Sequence, residues 1–193
     1  MNAKTGKHFS NKSIFWLAVV LGIMFVVGLA GYTHYTGVRP VKFARLTTGI
    51  AVTEQIQLKA IPYLPAEGFA TVIDLRPDGE AADEPPAVVV ESAVHASRMN
   101  FAYVPVPHGD IPAGAVTALA RAMAENPKPI LLYCRSGRRA ARTWSLVEVS
   151  RSDGLDAADI LAAVKAGGQS AEDLDTAIAA RIANRSVAAG AMK

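Results

Sequence analysis

The segment Ile130–Ala140, Ile-Leu-Leu-Tyr-Cys-Arg-Ser-Gly-Arg-Arg-Ala, constrains the chain more than any other. Ile130, Leu131, Leu132 and Tyr133 are a short apolar run, the pattern of a buried strand. The run ends on Cys134, the single cysteine of the chain. Arg135, Ser136, Gly137, Arg138 and Arg139 follow at once, and a helix is predicted from Arg139 to Val149. A strand, a tight glycine loop and a helix N-terminus make an anion cradle: backbone N–H groups converge there and the helix dipole adds partial positive charge. A thiolate, the reactive form of cysteine, is itself an anion that such a cradle stabilises. Arg139 can clamp an oxyanion with a planar fork that lysine cannot reproduce. The plainer alternative is a buried structural cysteine beside surface arginines.

At 193 residues the chain has room for one domain and an appendage. The appendage is visible as Ile14–Gly31, an uncharged and mostly large apolar run. At about 1.5 Å per residue it reaches roughly 27 Å as a helix, close to the hydrocarbon thickness of a bilayer. Trp16, Tyr32 and Tyr35 stand where interfacial aromatics belong. The run reads as a single-pass anchor over residues 14–32, after a basic tail at 1–13 and before a linker at 33–42. A cleavable signal peptide is the rival, with Gly28-Leu29-Ala30 as a cleavage site, although an apolar core of roughly 7–15 residues is usual there. A buried soluble helix is the third possibility. Lys4, Lys7 and Lys12 precede the run, while Arg39, Lys42 and Arg45 follow it. Orientation is therefore weakly specified; the main domain on the outer, periplasm-like side is the expectation.

Residues 1–42 contain no acid, so the net charge of +3 comes from this segment and the remainder is slightly acidic. The other basic residues are scattered, which argues against a nucleic-acid partner. One cysteine excludes an internal disulfide and leaves the redox compartment unspecified.

Further along, Phe43–Leu46 is expected as a strand and Thr53–Ala60 as a helix broken by Pro62 and Pro65. Thr71–Leu75 is the clearest early strand, closed by a turn at Pro77-Asp78-Gly79. A helix at Pro86–Arg98, a strand at Phe101–Val106 and a loop at Pro107–Asp110 follow. Val116, Leu119, Ala120 and Met123 mark a helix at Ala115–Glu125. Beyond the cradle, helices are expected at Ala157–Ala166 and Ala171–Ala183. The pattern fades near Arg185, so residues 186–193 read as a loose tail and 43–185 as the catalytic domain. Strands alternating with helices predict an α/β fold with a parallel-rich central sheet, the cysteine loop at the carboxyl end of a central strand.

The loop Cys134-Arg135-Ser136-Gly137-Arg138-Arg139 resembles the active loops of two groups, cysteine phosphatases and rhodanese sulfurtransferases. Gly68-Phe69 leading into Val72–Glu80, then Tyr103-Val104-Pro105-Val106, then Leu132–Gly137, resemble the beta-lactamase-hydrolase-like phosphatase domain. This resemblance covers roughly residues 43–165 and implies the fold of dual-specificity phosphatases. It implies that Cys134 is the nucleophile, that Arg139 with Arg135, Ser136, Gly137 and Arg138 holds the anion, and that Asp110 is the general acid. Read without the family, Asp110 is a turn or helix-start residue. The chain departs from the phosphatase pattern in its loop. Four residues separate Cys134 from Arg139, where phosphatases usually have five, and Ala140 takes the place of their arginine. Tyr133 replaces the common histidine before the cysteine.

The resemblance, which is to a bacterial family, implies a phosphatase acting on phosphorylated or other small anionic substrates through a cysteinyl-phosphate, without metal or cofactor; the apolar run at 14–32, outside the resemblance, would anchor it in the inner membrane. A sulfurtransferase carrying a Cys134 persulfide is the runner-up, favoured by the short loop. A non-catalytic module that binds a phosphorylated ligand is the third reading. His108 is a second possible proton donor or an exposed loop residue. Arg76 and Glu80 either support the cradle or form a salt-bridged turn. Arg142 reads as a charge on the helix surface.

Overall fold

The structure, a computed structural model, describes residues 11–82 and 84–191. The chain divides between Arg39 and Pro40 into two units. The first contains α1 (Asn11–Thr36). Its stretch Ile14–Tyr32 has a mean hydropathy of 2.6 and buries none of its length, as a membrane span or a signal sequence would. The helix runs on through Thr36, into the segment expected to be linker. Of the basic tail, residues 1–10 lie outside the described residues.

The second unit is built on a five-stranded sheet in the order β1 (Phe43–Arg45), β2 (Ile50–Thr53), β5 (Ile130–Tyr133), β3 (Thr71–Asp74), β4 (Asn100–Tyr103). Only β1 and β2 are antiparallel; every other pair is parallel. β5 is central. Tyr133 at its end pairs in register with Thr53 on one side and Asp74 on the other. Ile130, Leu131 and Leu132 are fully buried, each worth roughly 1.5–3 kcal/mol. Successive side chains point to opposite faces of the sheet. Ile130 and Leu132 join a core with Leu119 of α3 (Ala113–Glu125), Trp144 of α4 (Arg138–Ser150), Ile160 of α5 (Ala157–Ala166) and Ile178 of α6 (Asp175–Ala191). α2 (Ala87–Ala96) packs against β4 and a 3-10 helix at Leu58–Glu67.

The α/β architecture, the parallel-rich sheet and the position of the cysteine loop at the carboxyl end of β5 are as expected. Three elements differ. Ile50–Thr53 is a strand where a helix had been expected to open at Thr53; all four residues are buried, and their parallel pairing with β5 outweighs the helical pattern. Pro62 and Pro65 lie inside the 3-10 helix instead of ending a helix before it, since proline's fixed φ suits a 3-10 path and costs it only a donor. Finally, α6 continues to Ala191, past Arg185 where a loose tail had been expected; the alanines there favour helix without an amphipathic pattern. Residues 192–193 lie outside the described residues.

Candidate active site

β5 delivers Cys134 directly from the most buried strand, and the residue is only 1% exposed. Gly137 is the N-cap of α4 and adopts the left-handed region, φ 83°. A Cβ there would lie 3.3 Å from the carbonyl of Thr53 and 3.0 Å from Nε2 of Gln169. Glycine is therefore required both for the turn and for the close approach of β2. The loop is pinned at two further points. The Gln55 N–H donates to the carbonyl of Arg135 at 3.3 Å, and Gln169 Nε2 donates to the carbonyl of Ser136 at 3.3 Å. Arg135, Ser136 and Arg138 are exposed at the rim.

Arg139 is held from three sides. Its Nη2 meets Glu80 Oε1 at 2.6 Å, and its Nη1 donates to the carbonyls of Val106 at 2.9 Å and Leu75 at 3.4 Å. Glu80 Oε2 also accepts from Arg76 Nε at 3.1 Å. Arg76 Nε in turn lies 3.0 Å from Glu84, and its Nη1 donates to Gln55 at 2.8 Å. The two sequence readings of Arg76 and Glu80 are thus one arrangement: the salt-bridged turn carries Arg139. The next residue, Ala140, is fully buried in the core. A charged side chain cannot be housed there without a partner, so of positions 139 and 140 it is Arg139 that lines the cleft.

A cleft of about 740 Å³ opens above the loop, lined by Cys134, Arg135, Ser136, Arg138 and Arg139. His108, Gly109 and Asp110 line the same cleft, with Glu80, Arg142 and Asp173. The structure thus brings Asp110 and Cys134, separated in sequence, to one cavity. Arg142 is not the surface charge expected. Its side chain is 16% exposed, and Nη2 lies 2.7 Å from Asp173 Oδ2. Its Nη1 donates to the carbonyl of Gly109 at 3.0 Å. Sequence reasoning missed Asp173, Gln169 and Gln55; the two glutamines arrive from loops, and Asp173 from a short 3-10 turn at Glu172–Leu174 where a helix had been expected from Ala171. Among the described residues no cluster of His, Cys, Asp and Glu side chains could hold a metal ion.

Beneath the loop lies a buried carboxyl. Asp74, 2% exposed, is hydrogen-bonded to the Tyr133 hydroxyl and accepts from the Arg76 N–H at 2.8 Å. Burial raises its pKa from 3.8 to about 6, against the lowering effect of those two bonds; Asp78 and Glu84 add repulsion. Burial and the Asp74 charge also push the Tyr133 phenol up. Tyr133, where a histidine is common, therefore serves as a neutral donor to Asp74. In the window between 3.8 and about 6 the folded protein keeps a proton that the unfolded chain releases. Stability thus falls as pH rises through that window, by on the order of 3 kcal/mol. Asn keeps an acceptor for Arg76 and has no charge to desolvate. Asp74→Asn should flatten this fall, measured as the unfolding midpoint in denaturant at about pH 4 and about pH 7. An unchanged slope would show that Asp74 is not its source.

The family model described as "Beta-lactamase hydrolase-like protein, phosphatase-like domain" matches residues 42–151. A beta-lactamase hydrolase-like protein of Agrobacterium fabrum is 31% identical over 117 residues, covering 58% of this chain and 27% of the relative. One from Xylella fastidiosa is 28% identical over 108 residues, covering 56% and 25%. The chain thus spans about a quarter of the length of these curated relatives. Among solved structures, a candidate phosphatase from Neisseria meningitidis superposes with a TM-score of 0.63 at 21% identity, over 72% of this chain and 96% of that one. Tk-PTP in its active form gives 0.58 at 16%, over 74% and 97%. At these identities the likeness is one of fold. The sulfur-transfer alternative draws no support from these proteins. With the matched segment running from before β1 to the end of α4, and so enclosing the sheet, the cysteine loop and Asp110, the chain belongs to the phosphatase-like domain family of beta-lactamase hydrolase-like proteins.

Proposed function

We propose that this protein is a membrane-anchored, cysteine-dependent phosphatase that hydrolyses phosphate monoesters. The observation that carries the reading is the shared cleft, which Cys134, Arg139 and Asp110 all line. The Cys134 thiolate attacks phosphorus, forming an S–P bond as the P–O bond to the leaving group breaks. Loop N–H groups and Arg139 hold the non-bridging oxygens where charge is redistributed. Asp110 gives its proton to the departing oxygen, which takes the bonding electron pair. Water then attacks phosphorus and yields a proton to Asp110, the S–P bond breaks, and inorganic phosphate leaves with the thiolate restored. All groups in this scheme belong to the chain itself. The test is turnover of aryl and alkyl phosphates by the full chain in detergent, beside Cys134→Ser. Release of phosphate by the parent alone supports the scheme; equal release by both overturns it.

The hydropathy of Ile14–Tyr32 supports anchoring by α1. Alkaline carbonate washing should leave the full-length chain in the membrane pellet. A mature chain beginning near Gly31 in the soluble fraction would make the segment a signal peptide. The domain's side of the membrane is tested by adding protease to intact spheroplasts; a periplasmic domain is cut and a cytoplasmic one is not.

A further inference from the structure

Asp173 sits on a short 3-10 turn, Glu172–Leu174, beyond the segment that the family model matches. Its Oδ2 lies 2.7 Å from Arg142 Nη2 and its Oδ1 lies 3.4 Å from Arg138 Nη2. One carboxylate thus spans two guanidinium groups with one oxygen each, as two oxygens of a phosphate would. All three residues line the cleft that holds Cys134. A cavity of about 740 Å³ lies in the range that accommodates a whole small ligand, and so extends well beyond one phosphoryl group.

We propose that Arg138 and Arg142 form a second anion subsite beside the Cys134 cradle, filled by Asp173 in the free protein, and that it takes the second phosphate-like group of a doubly anionic substrate. This rests on the phosphatase reading and adds a substrate class to it. Arg142 is suited to the role because it is already desolvated and fixed. Its side chain is 16% exposed, Nη1 is tied to the Gly109 carbonyl, and Nε is buried without a hydrogen-bond partner. It keeps its position when Asp173 leaves. Asp173 can leave: it is 41% exposed, and Arg138 is 55% exposed. A purely structural ion pair joining α4 to the 3-10 turn before α6 is the competing explanation. Exposed pairs contribute little to stability, and that contact already has Trp144, Leu174 and Ile178 buried in its core.

The test is calorimetric binding of inorganic phosphate and of pyrophosphate to the full chain in detergent, carrying Cys134→Ser so that nothing turns over. Asp173→Asn should tighten pyrophosphate by about tenfold, or about 1.4 kcal/mol, and phosphate by less than about twofold. Adding Arg142→Gln should cancel the gain. Equal tightening of both ligands would reduce Asp173 to general charge repulsion and overturn the subsite. So would a lowered unfolding temperature with unchanged pyrophosphate affinity. In both cases phosphate still binds and the phosphatase reading stands. If neither ligand binds any variant and the parent hydrolyses nothing, the phosphatase reading fails and the subsite fails with it.

Discussion

Cys134→Ser should reduce phosphate monoester hydrolysis by on the order of 10⁴-fold or more, and Arg139→Lys by roughly 10²–10³-fold. A serine hydroxyl in that position is a weak nucleophile with no adjacent base to take its proton. The arginine effect has a different origin. Arg139 enters the site already aligned: Glu80 takes one nitrogen at 2.6 Å and the Val106 and Leu75 carbonyls take the other. Lysine carries the same charge on a single nitrogen and cannot meet Glu80, two carbonyls and a phosphoryl oxygen together. Its loss should appear in kcat, because a guanidinium fixed by Glu80 and two carbonyls presents its remaining N–H groups to the transition-state oxygens without reorganising. Both variants should fold, since Cys134→Ser is nearly isosteric at its buried position and Arg139 lies outside the apolar core, and unchanged circular dichroism would verify that. Full activity in Arg139→Lys would show that charge alone suffices there and that the clamp is not part of catalysis.

How far the sequence discloses this arrangement depends on the distance over which each feature is determined. β5, Cys134, Gly137 and the start of α4 are contiguous, and their physics is local: an apolar run needs burial, and a turn against Thr53 needs a residue without Cβ. That part is legible. β2 is not, because Ile50–Thr53 is too short for periodicity to decide and becomes a strand only through its register with Ile130–Tyr133. Arg142 is misread for a related reason. A cation on a helix ordinarily faces water, yet this one is turned inward by the Gly109 carbonyl and Asp173, contributed by distant loops. The short spacing from Cys134 to Arg139 looks like a departure in sequence. In the fold it is accounted for by Ala140, whose position lies wholly within the core. Function residues on rigid, local elements are read early, while those supplied by loops emerge only when the chain is closed.

A general-acid role for Asp110, as proposed, would separate phosphate ester hydrolysis from the sulfur transfer that the short loop first suggested. Asp110 is exposed, follows Gly109 at φ 95°, and lines the cleft that holds Cys134. An alkoxide is a poor leaving group and needs a proton as the P–O bond breaks, a contribution of about 10²–10⁴-fold. Asp110→Asn keeps the size and polarity of the side chain and removes only the transferable proton. Hydrolysis of alkyl phosphates should therefore fall by roughly 10²–10³-fold, and that of a nitro-activated aryl phosphate by roughly tenfold or less, since its phenolate departs unaided. A misplaced loop would slow both substrates alike, so the difference between them isolates proton donation. His108, in the same loop and cleft, provides the internal comparison: His108→Gln should leave the ratio of the two rates unchanged if Asp110 alone donates. Persulfide formation from thiosulfate releases sulfite, which leaves without a proton. Thiosulfate:cyanide transfer measured on the same preparation should consequently be indifferent to Asp110→Asn, and any such activity should be minor. Robust sulfur transfer with no leaving-group dependence of ester hydrolysis would reverse the assignment, and place the chemistry of Cys134 with persulfides despite the phosphatase fold around it.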